Sequence, residues 1–340
     1  MVLMANQKYA AMVMDARSGE ILHSENANKR LHPASLTKMM TLYVVFQAVE
    51  NGEISLDKKV KISRHAASEP PSKLYLRSGQ KVKLRYLIRA AAVKSANDAA
   101  TALGEAIEGS EAAFARRMNR TAKAMGMNRT TFKNAHGLTE PGHLSTARDM
   151  TILGRHLFYD FPEYYNLFAR KTTSAGSTKV RNTNRRFLSN YRGADGIKTG
   201  YTRAAGYNLV ASANRNGERI ITTVFGGRST TTRNAQVAKL MNLGFKKAPR
   251  NVKIQKPKPP SYTAIARASQ VKSISKSLRP KIRPENNENV ILIATNEYRS
   301  DILSALKQAQ IADKLVGQTS EVYTNTLYNP EAKPAYKIEP

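Results

Sequence analysis

The sequence contains no cysteine, few acidic residues and no long apolar run. Without cysteine there can be no disulfide framework, no thiolate metal site and no thiol nucleophile. No stretch approaches the roughly 18 to 20 consecutive apolar residues that a membrane-spanning helix requires. The first ten residues, MVLMANQKYA, lack the apolar run of a secretion signal. Either the protein is cytoplasmic, or this sequence is a mature or truncated form.

The scarcity of acidic residues leaves a large positive charge, with 55 Lys and Arg against 25 Asp and Glu and a formal net charge of +30. Residues 251–340 hold 14 basic and 8 acidic residues, so residues 1–250 carry 41 minus 17, or +24. Such a charge favours a polyanionic partner, which could be nucleic acid, anionic lipid or an anionic cell-wall polymer. Because no zinc-ligand pair or aromatic ribonucleoprotein motif accompanies it, we expect no nucleic-acid partner.

Composition changes near residue 250, where the sequence becomes KKAPRNVKIQKPKPPSY. Proline cannot donate to a backbone ladder, so this stretch is typical of a semi-rigid linker. We predict a folded domain over residues 1–248 and a basic, Pro-rich linker over 249–290, which we expect to be disordered. Residues 291–340 form a C-terminal segment whose spacing allows one helix, from Arg299 to Leu315, and whose sequence indicates no function.

Strand patterns at both ends of the first 250 residues enclose a helical middle. Short β-branched or alternating runs predict strands over residues 9–15, 21–24, 196–202, 207–213 and 219–226. Apolar residues at helical spacing predict helices over residues 35–49, 84–158 (interrupted at 95–98 and near 136) and 230–245. The first of these is apolar on nearly all sides and should be buried. We therefore predict an α+β fold, an antiparallel sheet with N- and C-terminal strands, flanked by helices, plus a helical subdomain.

The sequence PASLTK places Ser35 and Lys38 at the start of the buried helix. Three residues apart, their side chains share one helical face. A serine hydroxyl needs a neighbouring base, and a lysine can serve once burial lowers its pKa. Alone, the pattern fits a helix cap followed by a surface lysine better than a catalytic pair. A lysine that opens an almost wholly apolar helix favours the chemical interpretation.

Two further motifs contain residues suited to a peptide substrate. Ser95 and Asn97 lie between two helical stretches, where they could pass a proton and bind an amide, or simply cap a helix. Lys198 and Thr199 lie on a predicted strand, whose edge could pair with an extended peptide while both side chains meet its carboxylate. Gly200 would let that backbone approach closely.

In this order, the three motifs resemble those of penicillin-recognising serine enzymes. The flanking sequences PASLTKMMTLYVVFQAVE, LIRAAAVKSANDAATALGEAI, FKNAHGL, STARDM and DGIKTGYTRAAGYNLVASA resemble one branch, the D-alanyl-D-alanine carboxypeptidases. The similarity extends from about Ala11 to Phe245. It implies a β-lactamase/DD-peptidase-like fold and removal of the terminal D-alanine from peptidoglycan stem peptides. It also implies covalent inhibition by β-lactam antibiotics, and a reaction without metal or cofactor.

The resemblance assigns a role to each matching residue. Ser35 would be acylated with Lys38 as its base, and Ser95 would relay a proton to the leaving group beside Asn97. Lys198 and Thr199 would face the substrate carboxylate, and the amides of Ser35 and Tyr201 would form the oxyanion hole. Two more residues match family positions near the site. Arg233 would bind the carboxylate unless it is a surface arginine, and His136 would bind substrate unless its role is structural.

Three alternatives remain open. A class A β-lactamase shares the fold and motifs but needs a general-base glutamate, for which Glu163 is the best candidate, although its spacing is wrong. Transpeptidation or DD-endopeptidase activity could use the same acyl-enzyme. A non-catalytic protein that binds nucleic acid or wall polymer would explain the charge but not the placement of Lys38.

The resemblance also implies a cellular location, because its substrate, peptidoglycan, lies outside the cytoplasm. We therefore expect a periplasmic or extracytoplasmic protein whose export segment is not included in this sequence. Residues 251–340 resemble neither the β-rich domain nor the terminal amphipathic helix common in the family, so the sequence leaves membrane attachment open.

Overall fold

The computed structural model describes residues 8–260 of the chain. The strands are β1 Ala10–Asp15, β2 Ile21–Glu25, β3 Lys59–Lys61, β4 Lys81–Lys83, β5 Thr172–Ala175, β6 Thr178–Arg181, β7 Ala194–Thr202, β8 Gly206–Arg215 and β9 Glu218–Gly227. A five-stranded antiparallel sheet, in the order β2-β1-β9-β8-β7, forms the middle layer, and two short two-stranded sheets, β3-β4 and β5-β6, lie apart from it.

The described part of the chain contains nine α-helices. They are α1 Lys38–Glu50, α2 Arg64–Ser68, α3 Leu84–Arg89, α4 Asn97–Glu108, α5 Glu111–Ala124, α6 Ala147–Asp160, α7 Pro162–Ala169, α8 Arg185–Asn190 and α9 Thr230–Lys247. Within residues 8–260, none is both long and apolar enough to cross a membrane.

Helices cover both faces of the sheet, as β1 shows. Met12 and Met14 belong to the larger core with α1 and α6, whereas Ala11 and Val13 belong to a second core with Met241 of α9. Successive strand residues face opposite sides, so a strand buried on both faces has no polar alternation. The predicted α+β architecture, with strands from both ends of the domain, is confirmed.

Helix α1 is buried on nearly every side, as its composition predicts, with Lys38 through Phe46 and Ala48 all buried. Its start differs from the prediction. A 3-10 turn occupies Ala34–Thr37 and the α-helix begins only at Lys38. This correction matters because side chains at i and i+3 eclipse in a 3-10 turn, which brings the third residue after Ser35 directly over it.

The sequence patterns missed the two-stranded sheets β3-β4 and β5-β6 because their strands are short. Strands β3 and β4 are each Lys-Val-Lys, paired antiparallel with Val60 opposite Val82. Three residues give too little alternation to distinguish a strand from a loop.

In the described part of the predicted linker, residues 249–260 have no regular secondary structure. They are nevertheless hydrogen-bonded to the folded part of the chain: Arg17 donates to Pro249 O at 2.7 Å, and Gln255 N donates to Arg17 O at 2.8 Å. Residues 261–290 and the helix predicted from Arg299 to Leu315 lie outside the described residues.

Candidate active site

The tight turn before α1 brings a buried amine to a serine hydroxyl. Lys38 Nζ lies 3.1 Å from Ser35 Oγ and donates to Asn97 Oδ1 and to the carbonyl of His136, both at 2.7 Å. A neutral amine has two N–H bonds and one lone pair. With both N–H bonds directed at those oxygens, the lone pair remains for the hydroxyl proton of Ser35.

The surroundings of Lys38 favour that neutral form. The side chain is 0% exposed, and burial holds its pKa well below the ordinary value of 10.5. The positive charge of Lys198 acts in the same direction, while the carboxylates of Glu69 and Asp98 oppose it. Desolvation penalises the ammonium form, so the amine is available as a base.

A second serine and a second lysine face each other across the site. Residues Ala90–Lys94 form a π-helical turn after α3, and Ser95 then adopts a left-handed conformation with φ 64°. Such turns and strained positions cluster at functional sites. They direct Ser95 Oγ to Lys198 Nζ, 2.8 Å away, and allow α4 to begin at Asn97.

Strand β7 supplies the wall opposite α4. Burial, together with the charge of Arg233, lowers the pKa of Lys198 to about 7, and its Nζ donates to Thr199 O at 3.0 Å. The hydroxyl of Thr199 donates to Thr183 Oγ1 at 2.7 Å. A Cβ on Gly200 would stand 2.9 Å from Pro33 O and 3.1 Å from the amide nitrogen of Ser35. Only glycine lets the strand pass this close to the serine turn.

These elements enclose an open cleft of about 350 Å³. Most residues predicted for the site line it, namely Ser35, Ser95, Asn97, Thr199, Gly200, Tyr201 and Arg233. The two lysines are 0% and 1% exposed and lie beneath its floor. The cleft therefore presents hydroxyls and an arginine to a ligand and keeps both amines shielded from water.

Arg233 is a buried residue of the cleft and not a surface arginine. It is 3% exposed, donates through Nη1 to Asn208 O at 3.1 Å, and its pKa falls to about 10 through burial. Tyr201 is 55% exposed at the rim, its ring centroid 4.3 Å from that of Tyr207. An aromatic pair with one exposed ring beside a cleft offers an apolar surface to a ligand.

His136 is placed differently from the other predicted residues. Its ring lies outside the cleft lining: Nδ1 accepts from Leu138 N at 3.1 Å, and Nε2 faces carboxylate oxygens of Glu69 and Glu111 at 3.3 and 3.5 Å. This geometry disagrees with the expectation from the family resemblance that the His136 imidazole binds substrate directly. The residue contributes to the site through its carbonyl, which accepts from Lys38.

Sequence patterns missed the residues that hold the two walls together. Asn208 on β8 donates to His32 O and Pro33 O at 3.0 and 3.2 Å and accepts from Gly226 N at 3.0 Å, which ties the serine turn to the sheet. An asparagine within an apolar strand pattern was the available signal. Gly137 has φ +89°, and a Cβ there would fall 1.9 Å from Ala34 O.

The glutamate considered for a β-lactamase base lies elsewhere. Glu163, in the first turn of α7, lines a separate cavity of about 170 Å³ with Leu56 and Arg85. It is absent from the lining of the cleft that holds Ser35. A carboxylate must reach the attacking water to act as a base, so this position provides none.

Comparison with known proteins agrees with the geometry. A family model described as D-alanyl-D-alanine carboxypeptidase matches residues 5–229. The chain is 40% identical to DacF of Bacillus subtilis over 71% of this chain and 63% of the relative. It is 39% identical to DacA of Escherichia coli K12 over 69% and 60%. It thus spans about three fifths of the length of these curated relatives.

Solved structures give the same result. Penicillin binding protein 5 from Haemophilus influenzae is 38% identical with a TM-score of 0.67, over 70% of each chain. Penicillin-Binding Protein D2 from Listeria monocytogenes, solved in its ampicillin-bound form, is 35% identical with a TM-score of 0.65, over 72% of this chain and 100% of that one. The chain belongs to the D-alanyl-D-alanine carboxypeptidase family.

Proposed function

We propose that this protein is a serine-type D-Ala-D-Ala carboxypeptidase that removes the terminal D-alanine from peptidoglycan stem peptides, with residues 1–248 as its catalytic domain. The observation that carries the proposal is the buried amine of Lys38, which lies 3.1 Å from the hydroxyl of Ser35, a residue that lines the cleft. Family membership directs this nucleophile to a D-Ala-D-Ala bond.

Acylation uses Lys38 as the base. Ser35 Oγ bonds to the carbonyl carbon of the penultimate D-alanine while its proton passes to Lys38 Nζ. The C–N bond then breaks, the leaving nitrogen takes the hydroxyl proton of Ser95, and Ser95 receives the proton that Lys38 took from Ser35; the Ser95 hydroxyl is held 2.8 Å from Lys198 Nζ. Water next attacks the ester carbonyl and gives a proton to the neutral Lys38 amine. The bond from the acyl carbon to Ser35 Oγ breaks, the acid leaves, and Lys38 returns that proton to Oγ. Gly200 keeps β7 against the serine turn, so the amides of Ser35 and Tyr201 can stabilise the oxyanion.

The end of the cleft near β7 and α9 suits the carboxylate of the leaving D-alanine. Thr199 and Arg233 line it, with Lys198 beneath. Hydrogen bonds from charged donors to a carboxylate are among the strongest in proteins, and more so in a partly dry cleft. A free C-terminus is therefore the expected feature of the substrate, and the basic domain surface favours an anionic wall polymer around it.

The decisive experiment is labelling with a fluorescent penicillin, followed by D-alanine release from a peptide that ends in D-Ala-D-Ala. We expect the wild type to be labelled stoichiometrically and to release D-alanine, and Ser35→Ala to do neither. Ser18→Ala, in the β1–β2 turn, serves as the matched control and should behave as wild type. Wild-type protein that is never labelled, or label retained by folded Ser35→Ala, refutes the proposal.

The acceptor of the acyl group is a separate question. One solved neighbour, a mutant of a Streptomyces K15 protein named DD-transpeptidase, is 30% identical with a TM-score of 0.64. We propose water as the main acceptor, with endopeptidase or transpeptidase products measured by adding an amino-acid amine. A dominant amide product would reassign the enzyme as a transpeptidase.

The substrate proposed for this protein lies outside the cytoplasm, so we propose an extracytoplasmic location for the protein as well. Fractionation of the native host tests this location.

A further inference from the structure

A cluster of metal-ligating side chains lies behind the cleft, outside the residues proposed for catalysis. His65 belongs to α2, Glu69 follows that helix directly, and Glu111 is the first residue of α5. One ligand atom from each lies within 4.8 Å of the other two. His65 Nε2 is 3.0 Å from Glu111 Oε2 and 3.8 Å from Glu69 Oε1. We call these three residues the His–Glu cluster.

The spacing suits a small divalent cation. Zinc binds imidazole nitrogen and carboxylate oxygen at about 2.0 to 2.2 Å, and tetrahedral angles then separate neighbouring ligand atoms by roughly 3.3 to 3.6 Å. The two distances from His65 Nε2 lie on either side of this range. The third pair, the Glu69 and Glu111 oxygens, lies within 4.8 Å, so side-chain rotations that close this gap would bring all three atoms into contact with one ion.

Hydrogen bonds from behind orient the two carboxylates. Thr101 Oγ1 donates to Glu69 Oε1 at 2.9 Å, and Ala135 N donates to Glu111 Oε1 at 3.0 Å. Ligands of metal sites are held by outer partners in this way. Glu69 is 5% exposed and the Glu111 side chain is 15% exposed, whereas the His65 side chain is 58% exposed. The cluster thus has two fixed oxygens inside and a nitrogen on the solvent side.

His136 completes this outer layer and is not a fourth ligand. Its Nδ1 accepts a hydrogen bond from Leu138 N, so in the neutral ring the proton must be on Nε2. That N–H faces Glu69 Oε1 at 3.3 Å and Glu111 Oε1 at 3.5 Å and can donate to either. The fourth coordination position is therefore left to water, on the exposed side near His65.

We propose that His65, Glu69 and Glu111 form a structural site for a divalent cation of the zinc class. Two carboxylates and a neutral imidazole carry a charge of −2, which a dication balances. The imidazole nitrogen favours zinc over calcium or magnesium, which prefer oxygen ligands throughout. The alternative is a metal-free cluster in which protonated His65 pairs with Glu111. The hydrogen bond to Glu111 raises the pKa of His65, so protons and metal compete there.

The site would stabilise the part of the molecule that positions the proposed base. It would join α2 and the start of α5 to the segment that includes Ala135 and His136, and the carbonyl of His136 accepts from Lys38 Nζ at 2.7 Å. The proposed reaction uses no metal, so the ion would act on stability. Metal binding can therefore be tested independently of activity, including in the Ser35→Ala protein.

The test is zinc binding by the full-length chain, with Ser35→Ala as the common background. Metal-stripped protein is titrated with Zn²⁺, bound metal is counted after dialysis, and melting temperatures are recorded with and without Zn²⁺. His23→Ala is the matched control, because His23 also pairs with a glutamate, Glu25 at 3.8 Å in the β1–β2 hairpin. His65→Ala and Glu111→Gln remove ligands. Glu111→Gln keeps the size of the side chain, so it remains informative if His65→Ala destabilises the fold.

We expect one tightly bound Zn²⁺ in the parent and in His23→Ala, with a higher melting temperature in its presence. His65→Ala and Glu111→Gln should each bind that ion at least about tenfold more weakly. Cobalt should give the visible spectrum of a four-coordinate site in the parent and lose it in His65→Ala. A parent that retains no Zn²⁺, or equal binding by His65→Ala and His23→Ala, overturns the proposal and identifies the cluster as ion pairs.

Discussion

The cleft has two buried lysines, one on each wall, and they differ in what surrounds them. Lys38 belongs to the helical wall and has three oxygen partners, on Ser35, Asn97 and His136. Lys198 belongs to the sheet wall and contacts Ser95 Oγ and Thr199 O. Both have a lowered pKa, and desolvation is the largest cause for each. Burial alone therefore does not distinguish their roles.

Neighbouring charges and hydrogen-bond partners do distinguish them. The carboxylates of Glu69 and Asp98 act on Lys38, and its two N–H bonds are directed at fixed acceptors, so its lone pair is left for the hydroxyl of Ser35. Lys198 has the cation Arg233 as its charged neighbour and a pKa of about 7, so it is half charged near neutrality. An incoming carboxylate would compensate both cations. We therefore assign proton transfer to Lys38 on the helical wall and carboxylate recognition to Lys198 on the sheet wall.

The largest expected effect is the separation of these roles by matched substitutions. Lys38→Met should reduce penicillin acylation by about 10³-fold, because a positioned general base contributes roughly 10²- to 10⁴-fold. Lys198→Met should act mainly on KM for a D-Ala-D-Ala peptide. Methionine fills either site without a charge to desolvate, so neither variant should lose stability through a buried unpaired ion. Acylation rates and steady-state kinetics of both proteins provide the measurement.

Lys29→Met, an exposed residue after β2, controls for the loss of one positive charge. Equal losses of acylation rate in Lys38→Met and Lys198→Met, with KM unchanged in the second, would mean that both amines serve proton transfer. The inference that the two walls have different roles would then be wrong.

A smaller effect on activity is expected when Arg233 is replaced, because its charge lowers the pKa of Lys198 and is not among the charges that act on Lys38. Arg233→Gln removes a charged donor to the carboxylate and should lower kcat/KM by about tenfold or somewhat more. Because the Arg233 charge lowers the pKa of Lys198, its loss should also move the alkaline limb of the kcat/KM profile to higher pH. Arg233→Lys keeps the charge and should leave that limb in place. An alkaline limb that is identical in all three proteins contradicts the assignment of Lys198.

Much of this site follows from local sequence. Ser35 and Lys38 are three residues apart in a run with no other charge, so their shared face and the burial of α1 could be predicted. The antiparallel sheet could be predicted because β8 and β9 are long, mainly apolar strands joined by a short turn that contains Asn216 and Gly217. The 3-10 turn could not, since its tightness depends on contacts of Pro33 and Ala34 with β8 and Gly137.

Contacts between distant segments account for what the sequence left out. The ring of His136 turns to Glu69 and Glu111, which lie 67 and 25 positions away, and no local pattern relates the three. Asn208 likewise joins β8 to the serine turn over 175 residues. Arg233 matched a family position, but only the packing of α9 against the sheet shows that it is buried beside the cleft.

The smallest expected effect concerns stability and measures the charge of Lys198 directly. In the unfolded chain a lysine keeps its proton up to its ordinary pKa of 10.5, whereas in the fold Lys198 loses it near 7. Between these values the unfolded state binds more protons, so the free energy of unfolding should rise with pH, by about 1 kcal/mol per pH unit for this group. Below pH 7 both states are protonated and this contribution becomes flat. Denaturant unfolding of the wild type and Lys198→Met from pH 7 to 9, with Lys29→Met as control, should show a shallower slope only in Lys198→Met. Equal slopes in all three would show that Lys198 stays charged inside the fold, and the sheet wall would then hold a permanent cation where we infer a titrating one.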